Sequence, residues 1–199
     1  RRYRVARGAG HRYDPKRDLE EVGDILVTNS TSAPGGQAGH AVVSANCVNL
    51  VLEDIRLYAS NCFSFLEYNC DGTRYRRCSI DRRPPAEDLY PRGLRRLRSG
   101  DADAFHSKHA VRGPQIIGCT AKYQGDDCVN ICGEYYMVMA ADQNKIRMLS
   151  RHTSNIAVGD TVELVSYTGE RLADAGVLAS ERTARPPARD VSGPCYFLT

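Results

Sequence analysis

The sequence predicts an all-β fold: a parallel β-solenoid that carries a small antiparallel β-barrel-like domain. Three observations predict it. Short β-branched runs recur at intervals of 23 or 24 residues, as from Cys47 to Cys70 and from Asp54 to Cys78. That interval lies within the roughly 20–45 residues of one solenoid repeat. The stretch Asp101-Ala102-Asp103-Ala104-Phe105-His106 is echoed one interval later by Gly125-Asp126-Asp127-Cys128-Val129-Asn130. After Gly133 the repeat gives way to short strand-like runs punctuated by turn residues.

Composition narrows the field. The chain has 199 residues, 42% apolar, with no Trp and a net charge of +3. So small a charge does not by itself argue for a polyanionic partner. No run of about 18 apolar residues is present, so no membrane-spanning helix is expected. The start, Arg1-Arg2-Tyr3-Arg4, has no apolar core of a signal peptide. It also lacks an initiator Met, and the chain reads as a fragment of a longer protein. The eight cysteines show no zinc-ligand spacing. Free Cys behaves as a small buried hydrophobe, and several recur in step with the repeat. Buried thiols in ladders are expected, rather than disulfides or a metal.

In chain order, residues 1–24 read as a charged lead-in. Gly23 to Asn29 reads as a short strand, and Ser30 to Gly39 as a Ser/Pro/Gly loop. The first pass of the repeat is Ala41–Cys47 with Leu50–Leu57. The second is Phe63–Cys70 with Tyr75–Ile80. The third is Ala104–Ser107 with Pro114–Ala121, and the fourth starts at Asp127. Each reads as a strand, a polar turn with Asn or Gly, and another strand. The runs are too short for the three-and-four apolar spacing of a helix. A β-sandwich with chance similarity is the competing fold.

Asp81 to Gly100 interrupts the period with Pro84-Pro85, Pro91 and six Arg between Arg82 and Arg98. A stretch of this length is commonly functional or disordered. It could form one side of a cleft beside Asp103. A nucleic-acid patch is disfavoured, because only Tyr90 offers a stacking ring and Glu87 and Asp88 sit among the Arg.

Beyond Gly133, Tyr135–Met139, Lys145–Leu149, Thr161–Tyr167 and Ala175–Ala179 read as antiparallel strands. The expected division is coils with the functional wall over 1–134, a barrel-like insert over 135–184, and a linker over 185–199 that returns toward the coils.

Asp103 precedes Asp126 by 23 residues and Asp127 by 24. Residues one coil apart stack at about 4.7–4.9 Å, so three carboxylates would meet on one wall. Two carboxyl groups in one cleft are what acid–base cleavage of a glycosidic bond needs. In a strand, Asp126 and Asp127 would point to opposite faces; Gly125 permits a turn that turns both outward. Asp also bends coils and caps turns for purely structural reasons. His106 and Asn130 lie three residues beyond Asp103 and Asp127, and either could bond sugar hydroxyls. Lys108 and Glu67 are further candidates for holding the sugar. His106, Lys108 and His109 could equally be solvated wall residues. Calcium binding by these oxygens ranks low, because the dense Asp/Asn/Gly loop of dedicated sites is missing.

With these residues in view, the chain resembles glycoside hydrolase family 110, bacterial exo-α-1,3-galactosidases that include enzymes cleaving the blood-group B galactose. The resemblance rests on Asp103, on Gly125-Asp126-Asp127-Cys128-Val129-Asn130-Ile131, and on the barrel-like segment from Tyr135. It covers about residues 40–180. It implies a right-handed parallel β-helix with an inserted barrel. It implies Asp103 as general acid and Asp126 or Asp127 as the base that activates water, with inversion. It implies no metal and no NAD, and a secreted or periplasmic setting. The expected partner is a galactose-terminated glycan, with no nucleic acid and no membrane; a homodimer is allowed by the sequence but not required. Two alternatives stand beside it. One is a polysaccharide lyase or polygalacturonase-like hydrolase that uses Arg82 to Arg98 as a basic groove. The other is a non-catalytic glycan-binding solenoid.

Neighbouring carboxylates cannot all ionise cheaply. One of the three is therefore expected to keep its proton, and Asp103, alone on its coil, is assigned that role.

Overall fold

Val42, Phe65, Phe105 and Val129 lie side by side on one rung of a parallel sheet. Their offsets along the chain are 23, 40 and 24 residues. The computed structural model describes residues 39–85, 96–149, 156–183 and 195–198, with positions 19, 21, 23–25 and 27. The lead-in over 1–18, the loop over 30–38, the middle of the Arg-rich stretch (86–95) and the linker over 184–194 lie outside the described residues.

The first pass runs through β1 (Val42–Ala45), β2 (Val51–Glu53) and β3 (Arg56–Leu57). The second runs through β4 (Phe65–Tyr68), β5 (Arg74–Arg76) and β6 (Ser79–Ile80). The third runs through β7 (Phe105–Lys108), β8 (Gln115–Ile117) and β9 (Thr120–Ala121). β10 (Val129–Cys132) begins the fourth. These strands form three parallel sheets, ordered β1-β4-β7-β10, β2-β5-β8 and β3-β6-β9. Each of the first three passes thus carries three strands where the sequence suggested two. The third was hidden because two residues are too few to show an alternation. The protein is all-β with parallel sheets, an arrangement compatible with a β-helix, and no α-helix occurs among the described residues. No helix among them is long and apolar enough to cross a membrane.

Left-handed residues make the corners. Asn46, Asn69 and His109 follow β1, β4 and β7 with φ of 54°, 48° and 54°. Asp54, Arg77 and Gly118 follow β2, β5 and β8 with φ of 57°, 50° and 62°. Asn, Asp and Gly take this conformation most readily. His109, a candidate wall residue from sequence, is a corner residue.

The pleat sends alternate residues inward. Phe65 and Phe105 stack inside at 5.2 Å with an interplanar angle of 4°. Tyr75 meets both edge-on, at 5.4 and 5.2 Å. Cys78, Ile80 and Ala104 complete the buried cluster. The Cys47, Cys70, Cys78 and Cys119 thiols are free; each points at the carbonyl two residues before it. Burial pushes the Cys70 and Cys78 thiols up from their ordinary range. Among the described cysteines only these two are buried, and Cys128 is exposed.

From Met137 the pairing turns antiparallel. β11 (Met137–Asp142) and β12 (Lys145–Leu149) form a hairpin. β15 (Ser180–Thr183) and β16 (Cys195–Leu198) extend it in the order β11-β12-β16-β15. β13 (Thr161–Val162) and β14 (Ala175–Gly176) form a separate pair. Among the described residues the larger sheet is open at β11 and β15, so the barrel expectation is met only as two small antiparallel sheets. Met148 and Val177 centre a second small core.

Two sequence expectations need correction. Cys195–Leu198 does not lead back to the coils; β16 lies between β12 and β15 and pairs antiparallel with both. Gly23, Asp24, Ile25 and Val27 carry no strand. A turn forms there instead, with the Asp24 amide donating to the Glu21 carbonyl at 3.2 Å.

Candidate active site

The site is built where two successive passes turn into the β1-β4-β7-β10 sheet. The register that pairs Phe105 with Val129 aligns Asp103 with Asp127. Backbone bonds hold the two turns together. The Ala104 amide donates to the Asp127 carbonyl at 2.9 Å, and the Ser64 amide donates to the Asp103 carbonyl at 2.9 Å. Gly125 lets the turns close. A Cβ there would stand 2.4 Å from the Asp101 carbonyl oxygen, a distance no side chain tolerates. Asp126 and Asp127 are therefore in a turn, not a strand, and the opposite-face problem does not arise.

Asp103, Asp126 and Asp127 each offer an oxygen within 4.8 Å of the others. Asp103 is buried, at 2% exposure, while Asp126 and Asp127 are exposed. The nearest oxygens are thus closer than the about 6.5–9.5 Å separation of inverting glycosidases. The separation does not by itself argue for inversion. The same three oxygens could ligate a hard cation, but they supply about half of the six to eight ligands that Ca²⁺ takes.

A hydrogen bond of the same spacing recurs in both turns. His106 Nδ1 lies 2.5 Å from Asp103 Oδ2, and Asn130 Nδ2 donates to Asp127 Oδ2 at 3.2 Å. His106 is 7% exposed. Its ring stacks on Phe63 at 4.1 Å, and its Nε2 lies 3.8 Å from Cys132 Sγ. His106, expected to bond sugar hydroxyls, thus has a buried ring with a protein group beside each nitrogen.

Lys108 is half-buried on the outer face, with Nζ 6.0 Å from the Phe63 and Tyr68 ring centres. Glu67 does not join the cluster. It alternates to the inner face, is 1% exposed, and accepts hydrogen bonds from Ser107 Oγ at 2.6 Å and Tyr75 Oη at 3.2 Å. Burial, then the Glu67 carboxylate, pushes the Tyr75 phenol above its ordinary range.

Phe63 and His40 were missed. Phe63 sits one pass before Asp103, but the Arg-rich interruption hides that offset. His40 stacks on the other side of Phe63 at 5.1 Å. Burial, with His106 and then Lys108 adding to it, holds the His40 imidazole below its usual range.

Three of the described Arg residues of the interruption have partners. Arg82 lies 3.6 Å over the Tyr123 ring and Arg83 5.4 Å over Tyr58. Arg98 pairs with Asp101 at 3.1 Å. Compared with known proteins, the chain matches no family model, and no curated protein matches it.

Proposed function

We propose that this chain is an inverting exo-α-galactosidase, built on a right-handed parallel β-helix, that hydrolyses terminal α-1,3-linked galactose from glycans. One observation carries the reading: Asp103, Asp126 and Asp127 converge within 4.8 Å on aligned turns of successive passes. Three parallel sheets, entered in the same order by each of the first three passes, support the β-helix. The choice of galactose rests on the resemblance carried by Asp103 and Asp126-Asp127.

Burial divides the labour. Asp103 is shielded from water and backed by His106, which suits the acid that protonates the leaving oxygen. Asp126 and Asp127 face solvent, where the attacking water is. One takes the water's proton and the other orients it, with Asn130 holding Asp127. No cofactor takes part. The setting proposed is secreted or periplasmic, where glycans are met.

The test is NMR of the sugar first released from an α-1,3-galactosyl disaccharide. β-Galactose appearing first supports inversion. α-Galactose first would mean attack by a carboxylate, and absence of hydrolysis on every α-galactoside would remove the reading.

A further inference from the structure

We propose that His106 is a positioning residue that holds Asp103 in its proton-donating geometry and does not touch the sugar. This rests on the glycosidase reading of the same site. Both ring nitrogens of His106 already face protein groups, Nδ1 toward Asp103 Oδ2 and Nε2 toward Cys132 Sγ. Its ring is held flat against Phe63, 4.1 Å away with an interplanar angle of 19°. Phe63 is in turn backed by His40. The stack holds the ring plane, and in that plane Nδ1 faces Asp103 Oδ2 at 2.5 Å.

The proton inventory follows from that contact. A neutral imidazole has one donor nitrogen and one acceptor. With Nδ1 as donor to Asp103, Nε2 is the acceptor, and the Cys132 thiol, 3.8 Å away, is the group placed to donate to it. Asp103 Oδ2 is then occupied, and Oδ1 is left to carry the catalytic proton. When the glycosidic bond breaks, the Oδ1 proton passes to the leaving oxygen. Water bonds to the anomeric carbon and gives its own proton to Asp126 or Asp127. The new Asp103 carboxylate keeps the Nδ1–H bond, which is stronger to an ion than to a neutral acid. His106 itself gains and loses nothing.

The contrast with Asn130 sharpens the assignment. Asn130 makes the same three-residue bond to Asp127, but on an exposed carboxylate whose task needs no donor locked behind it. Of these two turns, the one that carries Asp103 has the buried ring.

The experiment uses the full 199-residue chain with His106→Phe and His106→Asn. Phe keeps the stack on Phe63 and removes the donor; Asn restores a donor near the position of Nδ1. The expected result for His106→Phe is a fall in kcat of about 10²-fold on a galactosyl disaccharide, with KM little changed and a much smaller fall on nitrophenyl α-galactoside. His106→Asn should recover most of the loss. A rise in KM with kcat intact, or equal loss on both substrates, would overturn the proposal by making His106 a sugar contact or a merely structural residue. A second readout needs no turnover: a downfield Nδ1–H resonance from His106 that vanishes in Asp103→Ala. Its absence in the unsubstituted protein also overturns the proposal. Its presence in a protein that hydrolyses no α-galactoside overturns the glycosidase reading and, with it, the catalytic role given to His106.

Discussion

Phe65 and Phe105 are 40 residues apart in the chain, yet they occupy the same rung, with ring centroids 5.2 Å apart. The Arg-rich interruption therefore adds length between the second and third passes without shifting their register. The stacked pair, with Tyr75 against both edges, ties the wall that carries Asp103 to the pass before it.

Removing one ring should loosen that tie. Phe105→Ala leaves a cavity beside Phe65 and Tyr75, and a loss of about 3–5 kcal/mol is expected. Phe105→Leu should cost less, since it keeps most of the volume. Urea titration checks this through the unfolding midpoint. An Ala variant within experimental error of the parent would mean the ring is not packed as described.

Glu67 gives a contrasting expectation. Its carboxylate serves Ser107 and Tyr75 inside the coils, so Glu67→Ala leaves two buried hydroxyls without their acceptor. The expected cost is about 1–3 kcal/mol for an unsatisfied group, with kcat and KM per folded molecule nearly unchanged. A raised KM with normal stability would return Glu67 to the sugar site that its sequence position suggested.

How much of this was legible depended on the register. The 23-residue step from Cys47 to Cys70 could be read directly, and it gave the parallel stacking. The aligned turns at Asp103 and Asp127 were legible for the same reason, because their 24-residue interval is uninterrupted. Glu67 was misplaced because the sequence does not say which face of a four-residue strand is inner. Phe65 and Leu66 are both buried, so alternation was masked. Phe63 was invisible because its partner, His106, lies beyond the interruption. The part played by His106 depends on a ring orientation that only the packing against Phe63 defines. The two-residue strands β3, β6 and β9 gave no periodic signal at all.

A pH effect follows from His40. Its folded-state affinity for a proton is held below the ordinary value of 6.5, first by burial and then by His106 and Lys108. The unfolded chain therefore binds the proton first as pH falls. This site's contribution to stability is complete above pH 6.5 and declines below it, until pH passes the lowered folded value. His40→Phe keeps a ring on Phe63 and removes the titration. Its stability relative to the parent should be flat above neutrality and improve as pH falls below 6.5. Thermal melts at a series of pH values measure this, and a relative stability that does not vary with pH would contradict it.

The central claim is that Asp103 is the acid and Asp126 and Asp127 act on the water. The most direct measurement is kcat/KM for an α-1,3-galactosyl disaccharide and for nitrophenyl α-galactoside in Asp103→Asn, Asp126→Asn and Asp127→Asn. A good leaving group needs little protonation. Asp103→Asn should therefore lose about 10²-fold or more on the disaccharide and far less on the nitrophenyl substrate, while the other two variants should be impaired on both. Equal loss on both substrates for Asp103→Asn would contradict the account.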